Sequence, residues 1–431
     1  MAELDEQFVF INHEDATGIQ PIEAGHLHEI SGFVDRIEEK LWDVNRTIHD
    51  NPELGYEEFI AHKTLTKFMS SQSGWKVTPS AYGLATAWVA VFDSGKKGPV
   101  VSFNVEMDAL DGIGHACGHN LIATASIAGG LAVAEILKQG QLGGKVVLFG
   151  TPAEEGGGGK IKLLQAGAYR DHEVDISLLS HPGITKNHAL MRTSAYTAFT
   201  VEYFGREAHA AANPWLGINA LDALITAYNA ISVLRQQTMP GDVIQGNITA
   251  GGVRPNVIHA YTAGNFVVRA NTQARLRELR KKVDACFEAG AAATGATLKM
   301  TPVQSYADHV PNRLLADHYR RHFNQLAPPD PIPNNPVVDE IEGRTSASTD
   351  QGDISYAMPS LNVGFSILPG PGGSGPHNPG FAEAAGTRVA FKNCLRAGKA
   401  MAAVGVDVLG DLKLLDEVKR EWKKDIQQQS V

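Results

Sequence analysis

Four short stretches of the chain are mostly apolar and rich in β-branched residues. They are residues 99–105 (PVVSFNV), 145–149 (KVVLF), 174–179 (VDISLL) and 361–365 (LNVGF). Apolar runs of this length are typical of strands that are buried on both faces, as in an α/β sheet. The sequence therefore predicts four strands of one buried sheet.

The segments around these runs have helical patterns. In residues 30–48 apolar side chains recur every three or four positions, which predicts an amphipathic helix that Asn51 and Pro52 end. Residues 121–137 are apolar or small throughout, which predicts a helix between strands. Residues 1–28 lack such a pattern, and we expect an irregular N-terminal arm there.

The pattern changes near residue 194. Strand-like runs follow at 198–204, 243–250, 261–270 and 297–303, with helix-like runs at 218–234 and 275–294. The order β-α-β-β-α-β is that of the split βαβ, ferredoxin-like fold. We interpret residues 195–305 as a domain inserted between the two halves of an α/β domain, residues 29–194 and 306–431.

Composition argues against several classes of protein. The 431-residue chain has a net charge of −9, which does not favour nucleic acid or an anionic membrane as a partner. Its apolar stretches are shorter than a bilayer span, and its acidic N-terminus lacks a signal-peptide pattern. Three widely separated cysteines do not suggest a disulfide framework. We expect a reducing compartment and hence a cytoplasmic location.

Polar residues of the metal-ligand type follow the predicted strands. They are Cys117, His119, Glu154, Glu155, His181 and His377. Because open α/β sheets bind ligands beyond the carboxyl ends of their strands, we expect these side chains to meet. Thiolate, imidazole and carboxylate together hold zinc or a similar divalent metal, and one carboxylate of the acidic pair is left free to act as a base. The pattern predicts a metal-dependent hydrolase.

Seven motifs in the chain are similar, in the same order, to those of a known enzyme family. They are GHACGHNLI (114–122), PAEEGGGGK (152–160), SHPG (180–183), HAAANPWLGINALDA (209–223), GGVRPNVI (251–258), STDQGD (348–353) and HNPGFAEAAG (377–386). Together they resemble the di-metal amidohydrolases of peptidase family M20, subfamily D, over roughly residues 30–405. Residues 120–122 (NLI) resemble the branch of the aminobenzoyl-glutamate hydrolases and β-alanyl dipeptidases. The resemblance implies a zinc-exopeptidase-like α/β metal-binding domain with an inserted ferredoxin-like α+β domain that acts as a lid or in dimerisation.

The resemblance also implies a role for each residue near the metal. The five implied ligands of two divalent metal ions are Cys117, His119, Glu155, His181 and His377. Cys117 would bridge the ions, which favours zinc, with manganese or cobalt as alternatives. Glu154 would be the general acid and base, and Asp108 would orient a ligand histidine through a hydrogen bond. Glu106 stands where the wider superfamily has a metal-binding histidine, so His119 would replace that ligand.

Further residues are implied to contact the substrate. His209 of the inserted domain would reach the site of a neighbouring subunit and stabilise the oxyanion, and Asn256 would contact the substrate carbonyl or carboxylate. Arg269 is a candidate carboxylate clamp, with an ordinary salt bridge as the alternative. Thr349 and Asp350 are expected to line the pocket. The same resemblance implies a homodimer or higher homo-oligomer.

We therefore expect a metal-dependent hydrolase that cleaves the amide bond of a small N-acyl amino acid, dipeptide or similar conjugate. Two alternatives stay open: a non-catalytic binding protein on a hydrolase scaffold, and an enzyme that forms amides or transfers acyl groups. The intact set of candidate ligands together with Glu154 argues against the first.

Overall fold

The computed structural model describes residues 25–429, so residues 1–24 of the expected arm lie outside the described residues. Within this range the strands are β1 Trp75–Pro79, β2 Trp88–Asp93, β3 Val100–Glu106, β4 Lys145–Thr151, β5 Ile176–Gly183, β6 Ala195–Phe204, β7 Val243–Ala250, β8 Tyr261–Ala270, β9 Thr297–Tyr306 and β10 Ser360–Ser366. The α-helices of the same range are α1 Gly25–Arg36, α2 Glu38–Asp50, α3 Phe59–Ser70, α4 His119–Lys138, α5 Gly159–Gln165, α6 Ala168–Asp171, α7 Ala220–Leu234, α8 Gln273–Thr294, α9 Arg313–Gln325, α10 Pro336–Glu342, α11 Gln351–Ala357, α12 Pro379–Ala385, α13 Arg388–Gly410 and α14 Leu412–Gln429.

The larger sheet has six strands in the order β1-β2-β4-β3-β5-β10. β4, β3, β5 and β10 run parallel, while β1 and β2 form an antiparallel pair that adds to the edge at β4. The four predicted strands are confirmed as β3, β4, β5 and β10, with ends that differ from the prediction by up to four residues. Because these strands are parallel, their carboxyl ends lie at one edge of the sheet, and the loops that follow them meet there.

Helices α4 and α13 pack side by side against this sheet. A Cβ at Gly129 of α4 would lie 2.7 Å from Phe103 of β3, and one at Gly398 of α13 would lie 2.6 Å from the Ala125 carbonyl. Glycine is therefore needed at both positions for this close packing. The expectation that every apolar stretch is too short to span a bilayer is wrong for α4, which could cross a membrane by length and composition. However, 94% of its apolar window is buried inside the protein, as in the core helix of a folded domain.

The prediction of one helix over residues 30–48 is wrong in detail. The segment contains two helices, α1 and α2, separated at Ile37, whose φ of −104° and ψ of 6° are not helical. The apolar faces of both helices join the same core, so the periodicity was informative although the helix is broken. Helix α1 begins at Gly25, and residues 25–28 are therefore helical and not part of an irregular arm.

The smaller sheet has four antiparallel strands in the order β7-β8-β6-β9. Along the chain the elements follow the order β6-α7-β7-β8-α8-β9, which confirms the predicted ferredoxin-like plan. Its two helices pack on the sheet around a separate core that includes Phe199, Phe266 and Phe287. Asn219 and Thr272 cap the first turns of α7 and α8 with their side-chain oxygens.

Candidate active site

Cys117 and His119 lie where the loop after β3 enters α4. Gly118 between them has a φ of +79°, and a Cβ there would lie 2.5 Å from Cγ of Pro182, so glycine lets this turn approach the end of β5. The close approach brings Sγ of Cys117 to 3.4 Å from Nε2 of His181. Nδ1 of His181 donates to the Pro182 carbonyl at 2.8 Å, which leaves Nε2 as the nitrogen that can bind a metal.

Glu154 and Glu155 follow β4 through a turn with unusual backbone geometry. Ala153 has a φ of +54°, in the left-handed region that alanine seldom adopts. Its N–H donates to Oε1 of Glu58 at 2.8 Å, and the Tyr306 hydroxyl donates to the Glu154 carbonyl at 2.7 Å. These bonds hold the acidic pair at the edge of the sheet.

His377 reaches the same place from the loop between β10 and α12. It too has a left-handed backbone, with a φ of +64°, and its N–H donates to the Ala116 carbonyl at 2.8 Å. Its Nε2 lies 3.5 Å from Oε2 of Glu155. The loop after β10 is thereby fixed to the turn that carries Cys117.

The five expected metal ligands form two overlapping groups. Ligand atoms of Cys117, His119 and His181 all lie within 4.8 Å of one another, and so do those of Cys117, Glu155 and His377. Cys117 belongs to both groups. Cys117 could therefore contribute to both halves of a two-metal site, and each of the other four residues to one half.

Buried atoms without partners show that these residues fit a metal. Nε2 of His119 and Oε1 of Glu155 are buried and have no hydrogen-bond partner among residues 25–429. Leaving such atoms unpaired is unfavourable, and a metal ion would pair both. Asp108 orients them, since its Oδ1 is 3.1 Å from Nδ1 of His119 and its Oδ2 accepts from the Glu155 N–H at 2.9 Å. This is the role that a carboxylate behind a ligand histidine commonly has.

Glu154 lies beside the ligand groups. Its Oε2 is 3.8 Å from Nε2 of His119, and the residue is only 6% exposed. Burial and the neighbouring carboxylates of Glu106 and Glu155 raise the pKa of Glu154 well above its ordinary value. A carboxylate whose pKa is raised holds a proton more tightly, which suits a group that takes a proton and later donates it.

A cluster of buried charges lies behind Glu154. Lys160 is fully buried, and its Nζ is 2.7 Å from Oε1 of Glu106 and paired with Asp350. Burial alone would lower the pKa of Lys160, but the carboxylates of Asp350 and Glu106 raise it well above its ordinary value. Asp350 differs from the expectation: it is fully buried and faces Lys160, so its carboxylate does not line the pocket.

A cavity of ≈ 700 Å³ opens from the candidate ligands, and its wall includes residues of both sheets. Thr349 and Arg269 line it, as expected for residues that contact a substrate. Arg269 donates to the Ser348 hydroxyl at 3.0 Å, and its guanidinium lies 5.0 Å from the centre of the Tyr196 ring. These contacts are with neutral groups, so the charge of Arg269 is available to an anionic ligand.

His209 and Asn256 lie apart from this cavity. Both are exposed, and among the described residues neither forms part of its wall. A hydrogen bond joins their two loops: the N–H of Ala210, the residue after His209, donates to the Asn256 carbonyl at 3.1 Å. Nδ1 of His209 accepts from the N–H groups of Ala211 and Ala212, so the neutral ring carries its proton on Nε2.

Comparison with known proteins decides the family. The sequence pattern of peptidase family M20/M25/M40 matches residues 95–390. An Xaa-Arg dipeptidase of Mus musculus is 37% identical over 415 residues, which cover 92% of this chain and 92% of the relative. The chain belongs to peptidase family M20/M25/M40.

Two further comparisons extend along nearly the whole chain. A p-aminobenzoyl-glutamate hydrolase subunit of Escherichia coli (strain K12) is 27% identical over 470 residues, with 92% of this chain and 96% of the relative covered. A solved Bacillus subtilis structure, described as a dinuclear metal-binding peptidase from the M20 family, has a TM-score of 0.65 at 19% identity and covers 87% of this chain and 99% of that one. The predicted fold and the predicted class, an M20 metallohydrolase, are confirmed.

Some residues of this M20 site were not found from the sequence. Lys160 pairs with Glu106 and Asp350, Tyr306 donates to the Glu154 carbonyl, and Glu342 lines the cavity, yet none of the three belonged to the expected site. The partners that give Lys160 its place, Glu106 and Asp350, are remote in the sequence. No local pattern distinguishes a buried lysine of this kind from an exposed one.

Proposed function

We propose that the protein uses two divalent metal ions to hydrolyse the amide bond of a dipeptide or similar N-acyl amino acid, with Glu154 as general acid and base. One observation carries the proposal: two groups of metal-ligand atoms share Cys117, and Glu154 lies beside them without being needed in either. Cys117, His119 and His181 would hold one ion, and Cys117, Glu155 and His377 would hold the other.

The ligand chemistry supports zinc. A cysteine thiolate, imidazole nitrogens and a carboxylate form a mixed set that zinc accepts readily, whereas manganese prefers oxygen ligands. When bound, such ions polarise the substrate carbonyl and lower the pKa of a bound water to about 7. The protein must then supply a base, a binding surface for the substrate and donors for the oxyanion.

Glu154 meets the requirement for a base. It is buried, close to the ligands and surrounded by other carboxylates that favour its protonated form. It would take the proton of the attacking water and then donate it to the leaving nitrogen. Tyr306 holds the carbonyl of Glu154, and that bond fixes the backbone from which this carboxylate extends.

A homo-oligomer would complete the site. His209 and Asn256 are exposed and lie outside the cavity of their own chain, which supports the proposal that they act in the site of a second copy. The bonds that Nδ1 of His209 accepts leave Nε2–H as a donor, which is what an oxyanion requires.

The names of relatives and the cavity support a dipeptide-type substrate. The mouse relative is an Xaa-Arg dipeptidase, and the Escherichia coli relative belongs to a p-aminobenzoyl-glutamate hydrolase. Each name specifies an amide or peptide whose leaving group is an amino acid. Arg269 in the cavity wall would bind the carboxylate of that amino acid.

Amine release from a panel of dipeptides and N-acyl amino acids, measured by mass spectrometry on metal-loaded protein, tests the proposal. Glu154→Gln is the control variant, because it keeps the shape of the side chain and removes the base. We expect it to bind metal normally and to lose roughly 10²–10⁴-fold in turnover. Near-normal turnover would contradict the role of Glu154. No release by the wild-type protein with metal bound would favour binding, and product formation in the reverse direction would favour amide synthesis.

A further inference from the structure

The cavity wall contains a carboxylate that the proposed mechanism does not use. Besides Glu154 and Glu155 at the metal ligands, Glu342 is the one acidic residue among the described residues that line the cavity. It is the last residue of α10. Its Oε2 is buried and has no hydrogen-bond partner in the described part of the chain.

The other oxygen of Glu342 is already paired. Oε1 accepts from Nζ of Lys186 at 3.0 Å, and Lys186 is 63% exposed, so that partner approaches from the solvent side. An ion pair with such an exposed lysine contributes little to stability. Oε2 thus has the capacity to accept from a second cationic donor, and leaving it unpaired in a buried position is unfavourable.

The fold holds Glu342 firmly in the wall. A Cβ at Gly343 would lie 2.3 Å from the Leu190 carbonyl, so this glycine allows the end of α10 to lie directly against residues 190–192. The Gly343 carbonyl accepts from the Arg192 N–H at 3.1 Å. The backbone at Glu342 is therefore held against residues 190–192, which follow β5 in the chain.

The register of β5 and β10 indicates how far this part of the wall lies from the metal ligands. His181 pairs with Gly364 of β10, and Gly364 pairs in turn with His188. Two strand spacings therefore separate His181 from His188, or ~10 Å. His188 lines the same cavity and is two residues from Lys186, the partner of Glu342. An extended arginine or lysine side chain can reach this part of the wall, whereas the α-amino group of a dipeptide lies close to its scissile bond.

We infer that Glu342 forms a subsite for the cationic side chain of the substrate, and that the enzyme prefers dipeptides with an arginine or lysine side chain. This inference rests on the proposed amide hydrolysis. The guanidinium or ammonium group donates to Oε2 of Glu342 while Lys186 keeps Oε1. Arg269 is left for the substrate carboxylate, so the two ends of the amino acid meet opposite charges.

Three substrates test the inference: alanyl-arginine, alanyl-citrulline, which has an uncharged side chain of the same shape, and N-acetyl-arginine, which lacks the α-amino group. The variants are Glu342→Gln and, as matched control, Lys186→Gln, which removes the other half of the same ion pair. We expect Glu342→Gln to lower kcat/KM for both arginine substrates by about 10–100-fold, the range of a charge-assisted hydrogen bond, and to leave alanyl-citrulline unchanged. Lys186→Gln should change none of the three by more than about threefold.

Each other result overturns the inference in a different way. If Glu342→Gln lowered kcat/KM equally for alanyl-arginine and alanyl-citrulline but not for N-acetyl-arginine, Glu342 would bind the α-amino group. Equal losses on all three substrates, matched by Lys186→Gln, would mean that the ion pair only supports the wall. If the wild-type enzyme cleaved alanyl-citrulline as well as alanyl-arginine, the inferred preference for a cationic side chain would be wrong, while the proposed hydrolase activity would stand. If metal-loaded wild-type protein cleaved no member of the panel, the proposed function would fail and this inference with it.

Discussion

Lys160→Met is the substitution that best tests the electrostatic design of the site. The methionine keeps most of the length of the side chain and removes the ammonium group. In the wild-type protein this group is fully buried, lies 2.7 Å from Oε1 of Glu106 and pairs with Asp350. The variant therefore leaves the buried carboxylates of Glu106 and Asp350, both next to Glu154, without the cation that neutralises them.

The size of the effect follows from these contacts. At 2.7 Å the attraction between Lys160 and Glu106 is about 6 kcal/mol at an effective dielectric constant of about 20, before the desolvation of both groups is subtracted. Removing one partner of a buried pair costs a net 3–5 kcal/mol in measured cases. We expect the same loss in the free energy of unfolding. With an m-value of about 3 kcal/mol/M, the urea midpoint should fall by about 1–1.7 M.

Urea unfolding followed by tryptophan fluorescence measures the change, because Trp88 is buried in the larger sheet. The chain has two cores, so the transition of the larger one is fitted separately. Lys162→Met is the matched control: Lys162 is exposed in the same helix, and its loss should cost less than about 1 kcal/mol. Equal midpoints for the two variants would refute the reasoning. A triple variant that also carries Glu106→Gln and Asp350→Asn should recover at least half of the loss, because it leaves no unpaired charge.

Three further changes have defined outcomes. Asp108→Asn should weaken metal binding about 10–100-fold in a competition assay with a chelator, since Asp108 orients two candidate ligands; unchanged affinity would contradict that role. Burial raises the pKa of the Cys117 thiol, so metal binding must release its proton; the affinity should rise between pH 6 and 8, and an affinity independent of pH would exclude a thiolate ligand. Burial raises the pKa of Asp407, but hydrogen bonds from His318 and His322 outweigh burial and bring that pKa below its ordinary value. Asp407→Asn should therefore lower the free energy of unfolding at pH 7 by about 1–3 kcal/mol. This difference from wild type should shrink below about pH 4, because Asp407 then becomes protonated in the native state too. A difference that grows in acid would refute the prediction.

The sequence predicts the buried parallel strands well because such strands are covered on both faces and must be apolar throughout. It does not reveal β1, which lies at the edge of the sheet. The neighbouring strand β2 was also missed, although its mostly buried apolar run resembles those of the predicted strands. In β1 only Trp75 is buried, and the remaining residues are half-buried or exposed, so no apolar run marks the strand. The break at Ile37 between α1 and α2 is equally hidden, because both helices bury their apolar residues in one core and the periodicity continues across the break.

The same reasoning explains which site residues the sequence reveals. Cys117 and His119, and likewise Glu154 and Glu155, are close in the sequence and follow predicted strands, so their pattern can be recognised. Lys160 cannot be recognised in this way, since its environment is made by residues from β3 and from the segment before α11. Glu342 stands in a charged segment, and nothing local shows that one of its oxygens is buried.

The candidate metal ligands and the residues proposed to recognise the substrate come from different parts of the fold. All five candidate ligands lie at the carboxyl end of the larger sheet, on loops, a strand end and the start of α4, where Gly118 and the left-handed residues Ala153 and His377 hold the backbone in place. Four of these ligands also line the cavity, but the rest of its wall includes Arg269 from the smaller sheet and residues 342–349 from the segment after α9. Substitutions in that part of the wall can therefore change which amino acid is accepted without disturbing the groups that hold the metal. For this reason the selectivity of Glu342→Gln, measured as a ratio between two substrates, and the metal affinity of Asp108→Asn should vary independently.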